Sequence, residues 1–209
     1  MDDLDALRVD GDRLWASIME MAEIGATPRG GVGRLALTSL DRQARELFVS
    51  WCEQARCEVR VDKIGNIIAR RAGEESAAPP VMTGSHLDTQ PLGGKFDGIY
   101  GVLAGLEVMR TLNDAELATR APVETVVWTD EEGVRFSGTL ASGAFAGVYD
   151  LQEALAKTDR EGITFGEALQ KIGFAGSAPV GGYELDAFFE AHIEQGPILE
   201  AEGMQVGVV

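Results

Sequence analysis

The chain has 209 residues, 45% of them hydrophobic, with a formal net charge of −16 at pH 7. That apolar content is enough to bury a core, which excludes a disordered chain, and the charge excludes a nucleic-acid surface, which needs a basic stripe. No apolar run is long enough to span a bilayer. The acidic start Met1-Asp2-Asp3-Leu4-Asp5 lacks the basic opening of a signal peptide, so a cytoplasmic chain of about one domain is expected.

In chain order, Leu14, Ile18, Met19, Met21 and Ile24 recur at helical spacing and predict an amphipathic helix over 10–25. Thr27-Pro28-Arg29-Gly30-Gly31-Val32-Gly33-Arg34 breaks it. This glycine run follows no strand and lacks both the Gly-x-Gly-x-x-Gly spacing and a Lys-Ser ending. It therefore reads as a connector or a mobile loop near a substrate rather than a nucleotide cradle. Thr38 or Ser39 caps a second helix to about Ala55. Residues 57–62 alternate like a half-buried strand, Ile64-Gly65-Asn66 turns it, and 66–71 returns as its hairpin partner. Cys52 and Cys57 are the two cysteines; their spacing is wrong for a zinc knuckle, and they read as reduced packing residues.

A short apolar strand at 80–83 leads into Gly84-Ser85-His86-Leu87-Asp88. A helix over 98–112 and a strand over 123–128 follow, then a loop and short helix at 137–144 and short helices at 151–157 and 165–172. A loop at 173–182 leads to a buried strand over 187–194, a helical turn at 198–203 and a strand-like end at 205–209. Helices alternating with strands predict an α/β sandwich with a mainly parallel or mixed sheet.

The chemistry gathers at the strand ends. His86 and Asp88 lie two apart, which on a strand puts both side chains on one face. Asp97 follows on the tight loop Gly93-Gly94-Lys95-Phe96-Asp97-Gly98. Taken alone, His86 reads as a satisfied core histidine and Asp97 as a helix N-cap. The chain has two histidines, however, and His192 sits in a similar setting, Ala191-His192-Ile193-Glu194-Gln195-Gly196-Pro197. Between them the strand over 123–128 ends in Asp130-Glu131-Glu132. As a plain acidic turn that run would be solvated. As the end of an apolar strand it completes a set of His, Asp, Glu and His that suits a two-metal hydrolase. In that reading Asp97 bridges two ions, His86 and His192 complete one, and Glu132 serves the other. Glu131 is then the general base and Asp88 orients His86 through its second ring nitrogen.

Gly84-Ser85-His86-Leu87-Asp88-Thr89, Gly93-Gly94-Lys95-Phe96-Asp97-Gly98, Thr129-Asp130-Glu131-Glu132-Gly133 and His192-Ile193-Glu194-Gln195-Gly196-Pro197, in this order, resemble the hydantoinase/carbamoylase amidases of the zinc aminopeptidase-like metallopeptidase superfamily. Gly30-Gly31-Val32-Gly33-Arg34-Leu35 and Val61-Asp62-Lys63-Ile64-Gly65-Asn66 fit the same pattern, so the resemblance covers nearly the whole chain.

The resemblance implies a three-layer zinc-peptidase-like catalytic domain, incomplete here. It implies cleavage of the linear amide or ureido C–N bond of N-carbamoyl-L-amino acids or allantoate-like compounds. It also implies two divalent ions (zinc, manganese, cobalt or nickel) in the complete site, with His86, Asp97 and His192 on one and Asp97 and Glu132 on the other, and Gln195 as a substrate-side polar group. Relatives are longer and carry a lid and dimerisation domain, a further histidine ligand and a substrate-gripping arginine. Residues 1–209 are therefore expected to be the N-terminal part of a catalytic domain, inactive or partner-dependent by itself. The expected partners are a small-molecule substrate and a C-terminal half or homodimer, with one ion held by this chain alone. Alternatives are a dipeptidase or aminoacylase of the same superfamily, or a non-catalytic metal-binding remnant.

Overall fold

The computed structural model describes residues 6–209; the acidic stretch 1–5 lies outside the described residues. Two helices come first. α1 (Gly11–Glu23) begins where the Asp10 side chain accepts from the Arg13 N–H. Its spacing buries Ile18, Met21 and Ala22. α2 (Ser39–Gln54) is capped by Thr38, and its interior face is Ala44, Phe48, Trp51 and Cys52. Side-chain caps of this kind satisfy donors that the first turn leaves unpaired.

β1 (Glu58–Val61) and β2 (Ile67–Arg71) form the expected hairpin, its turn held by the Asp62 carboxylate, which accepts from the Ile64 and Asn66 N–H groups. β3 (Val81–His86) and β4 (Val123–Trp128) are parallel and joined by the crossover helix α3 (Ile99–Asp114). Short helices follow: α4 (Leu140–Phe145), α5 (Leu151–Leu155) and α6 (Phe165–Ile172), the last with a Thr164/Glu167 capping box. β5 (Ala187–Phe189) and α7 (Ile198–Glu202) close the chain.

The sheet runs β1-β2-β4-β3-β5. Its β1/β2 and β2/β4 pairs are antiparallel and its β4/β3 and β3/β5 pairs parallel, so the mixed α/β sheet expected from sequence is what forms. One face, with Ile67, Ala69 and Val127, packs on α1, α2 and α3. The other, with Ile68, Met82, Val126 and Trp128, meets Phe145, Tyr183 and Leu185. A lateral cluster around Phe165, Leu169 and Leu140 seats α4–α6 against Leu37 and Ile64. Cys52 and Cys57 are free and buried, as packing residues.

Three expectations need correction. The strand expected over 187–194 spans only Ala187–Phe189, and Phe188 and Phe189 are exposed rather than buried. It is an edge strand: its register with β3 ends at Thr83↔Phe189, and no described strand lies on its other side. Residues 205–209 form no strand and are exposed, because no described strand pairs with them. The glycine run at 27–34 is no loose connector. Val32 exchanges two main-chain hydrogen bonds with Gly93, and Arg34 is fully buried, donating to the carbonyls of Leu87, Met21 and Ile24. The run therefore braces the loop that carries Asp97.

No helix among the described residues is long and apolar enough to cross a membrane.

Candidate metal centre

In open α/β sheets, ligands gather beyond the carboxyl ends of parallel strands. Here β3 ends at His86 and β4 at Trp128, which face each other in register. Each delivers chemistry at its tip. The chain after β3 returns through the glycine-rich loop to Asp97 at the start of α3. The chain after β4 kinks at Asp130, whose φ of 57° is in the left-handed region. This kink separates the three acids: Asp130 is buried, while Glu131 and Glu132 remain partly accessible. His192 arrives from the irregular segment after β5.

His86, Asp97 and His192 offer ligand atoms that all lie within 4.8 Å of one another. Asp97 Oδ1 is 3.2 Å from His192 Nε2 and 3.9 Å from His86 Nε2. The tautomers follow from the other ring nitrogens. His86 Nδ1 lies 2.8 Å from the Asp88 carbonyl oxygen, and His192 Nδ1 2.8 Å from that of Ile193. A carbonyl cannot donate, so each Nδ1 carries a proton, and in its neutral form each ring presents the Nε2 lone pair. In that form three acceptors converge, an arrangement that a cation between them satisfies. The spacings bracket the separation of about 3.4 Å that a tetrahedral ion with bonds of about 2.0–2.2 Å imposes on its ligands. The residues fit a divalent ion.

Gly98 shapes this cluster. It caps α3 at a φ of 68°, and a Cβ there would lie 2.5 Å from Cε1 and Nε2 of His86. Only a glycine lets the start of α3 lie flat against the imidazole.

Asp88 meets the second ring nitrogen of His86, but through a different atom from the carboxylate expected. β3 stops at His86, so the two side chains do not share a strand face. The Asp88 carboxylate is 3.9 Å from His86 Nδ1; its main-chain carbonyl accepts the ring N–H hydrogen bond instead. The carboxylate accepts from the main-chain N–H groups of Glu131 and Glu132, at 3.4 and 3.2 Å. Asp88 therefore ties the histidine strand to the loop bearing both glutamates.

Glu131 Oε2 lies 3.4 Å from His86 Nε2, at the edge of a cleft of about 800 Å³ walled by Trp128, Phe145, Tyr183 and Phe188. Glu132 stands outside the three-ligand cluster. Gln90 donates to its Oε2, while its Oε1 is buried without a partner. A buried, unpartnered carboxylate oxygen is costly, and it is the kind of atom a second ion would satisfy. Gln195 donates its amide to Asp97 Oδ2, which occupies the second oxygen of the residue expected to bridge.

A layer of buried charge underlies the site, and of its members only Asp88 has a role assigned from sequence. Arg45 and Asp41 on α2 pair at 2.8 Å with both side chains fully buried. Burial pulls the Arg34 guanidinium down to about 10. It pushes the Asp88 carboxyl up to about 6, opposed by His86. Asp130 rises to about 8, from burial first and then from the charge of Asp88. Alternation and spacing do not reveal such groups; the one signal was arginine or aspartate within otherwise apolar or glycine-rich segments.

The chain is 54% identical over 203 residues to an N-carbamoyl-L-amino-acid amidohydrolase of Rhizobium meliloti, covering 97% of this chain and 49% of that protein. It is 36% identical over 217 residues to a ureidoglycolate hydrolase of Oryza sativa subsp. japonica, covering 96% and 43%. A crystal structure of a hydantoinase/carbamoylase family amidase from Burkholderia multivorans superimposes with a TM-score of 0.94 at 59% identity, covering 95% of this chain and 48% of that one. The chain spans about half the length of the curated relatives it matches. Residues 82–209, from within β3 through His86, Asp97, Glu131, Glu132 and His192, match the model of peptidase family M20/M25/M40, and it is to this family that the chain belongs.

Proposed function

We propose that this chain carries the metal-binding and proton-transferring part of an amidohydrolase that cleaves the linear amide or ureido C–N bond of N-carbamoyl-L-amino acids or related ureido compounds. The observation that carries the reading is the convergence of His86 Nε2, His192 Nε2 and Asp97 Oδ1, with Glu131 Oε2 3.4 Å from the first of them at the mouth of a cleft. The names of the two relatives described above supply the substrate class.

His86, Asp97 and His192 would hold one ion, and Glu132 with Asp97 a second, drawn from zinc, manganese, cobalt or nickel. A bound ion polarises the scissile carbonyl and lowers the pKa of water beside it. Glu131 Oε2 is placed to take a proton from the attacking water and return it to the departing nitrogen, so that a C–O bond forms as the C–N bond breaks. The Asp88 carboxylate keeps Glu131 at that post by accepting from the Glu131 main-chain N–H. Gln195, bound to Asp97, adds a polar group on the substrate side.

Glu131→Gln is the direct test. Metal-loaded protein is assayed for ammonia release from N-carbamoyl-L-alanine, and for acetate release from N-acetyl-L-alanine. Loss of carbamoyl turnover by about 10²–10⁴-fold, with metal content unchanged, is the expected result. Turnover of the acetylated compound alone would instead identify an aminoacylase. A fully loaded wild-type chain that turns over neither compound, alone or with the C-terminal half of a relative added in trans, would be a metal-binding remnant. That last reading has its own support, since amide donors from Gln90 and Gln195 already sit on the two carboxylates of the second ion.

A further inference from the structure

His192 reaches the site from a segment with little regular support. β5 pairs with β3 only as far as Thr83↔Phe189, so the sheet releases the chain three residues before the histidine. Phe188 and Phe189 are exposed, and His192 itself is 30% exposed on its side chain. Yet its Nε2 stands 3.2 Å from Asp97. Something other than the strand ladder must hold it there.

One side-chain contact bridges the gap. The hydroxyl of Ser85, on β3 and fully buried, donates to Glu190 Oε1 at 2.5 Å. Ser85 immediately precedes His86, and Glu190 lies two residues before His192. The bond therefore links the neighbours of both histidine ligands. It also prolongs the β3–β5 pairing beyond the point where the main chain stops bonding. Behind it, Gly101 of α3 leaves room for the segment: a Cβ there would lie 2.5 Å from the Ala191 carbonyl oxygen. Glu190 is not among the three clustered ligands, so its carboxylate serves the contact with Ser85.

We propose that Ser85 and Glu190 form a clamp that positions His192 from its N-terminal side, as Gln195 on Asp97 does from the other, so that the chain's affinity for its first ion depends on this hydrogen bond. The inference rests on the metal-site reading above. Groups that orient a ligand in this way are worth about 10–100-fold in metal affinity.

The test measures Zn²⁺ affinity of the 209-residue chain by competition with a chromophoric chelator. Glu190→Ala and Ser85→Ala should each weaken binding by about 10–100-fold. Glu190→Gln retains an acceptor oxygen and should recover most of that loss. The double variant Ser85→Ala/Glu190→Ala should lose no more than either single one, because both remove the same bond. Affinities of the alanine variants within about twofold of wild type would overturn the clamp, as would losses that add in the double variant. His86→Ala serves as the reference: if it leaves Zn²⁺ binding intact, the metal-site reading fails first and the clamp falls with it. If His86→Ala abolishes binding while Glu190→Ala does not, the clamp alone is wrong.

Discussion

Gly98→Ala is expected to destroy tight metal binding although Gly98 offers no ligand atom. The new Cβ would sit 2.5 Å from two atoms of the His86 imidazole and 2.6 Å from a third, well inside contact distance. The ring cannot slide away cheaply. Its Nδ1 is anchored to the Asp88 carbonyl, and the side chain is 1% exposed. Gly98 cannot retreat either, because it opens α3, whose Val102 and Leu106 are wholly buried against the sheet. The positive φ at this position alone costs a residue with a Cβ about 1–2 kcal/mol or more. Displacing the ligand should lower Zn²⁺ affinity by at least about 10–100-fold. Equilibrium competition with a chelator, alongside a thermal melt, separates the two effects. A variant that melts close to wild type but binds Zn²⁺ equally well would show that His86 does not need this packing.

Arg45→Met is expected to destabilise the chain by about 3–5 kcal/mol, the usual cost of removing one partner from a buried ion pair. Arg45 is entirely buried and spans three elements. It pairs with Asp41 one turn earlier on α2, donates to the Gly65 carbonyl in the hairpin turn, and reaches the Thr129 hydroxyl at the end of β4. Asp41 has one oxygen already unpartnered, so the variant leaves a buried carboxylate held only by the Leu37 N–H. With a urea dependence of about 1–3 kcal/mol per molar, the unfolding midpoint should fall by at least about 1 M. Replacing both partners, Asp41→Leu with Arg45→Met, should recover much of the loss, since the charge is then gone rather than stranded. A midpoint unchanged by Arg45→Met would mean that water reaches Asp41.

What the sequence disclosed, and what it withheld, follows from which interactions are local. Helical spacing from Leu14 to Ile24 and the Thr38 cap identify α1 and α2, because those signals lie within one turn of the residues they order. The hairpin of β1 and β2 is legible for the same reason. The site was legible as a set of motifs: His192 lies about a hundred residues beyond His86 and Asp97, yet the structure brings the three together. Asp88 was read wrongly in one respect. Spacing predicts a face only while the strand lasts, and β3 ends at His86. The strand at β5 was overextended because Phe188 and Phe189 look like core residues, whereas an edge position exposes them. Arg34, Arg45 and Asp41 could not be found by pattern, since a buried charge is revealed by its partners, and these lie in other elements. The Ser85–Glu190 contact, between residues 105 apart in sequence, is of the same kind.

The central claim is that His86, Asp97 and His192 form a metal site within this chain, and metal content tests it most directly. Purified protein is loaded with Zn²⁺, dialysed, and analysed for zinc per chain beside His86→Ala and Asp97→Ala. About one tightly held ion per chain, lost in both variants, is the predicted result, since each removes one of three converging ligands. Retention of the ion in both variants, or no ion in the folded wild-type chain, would contradict the account.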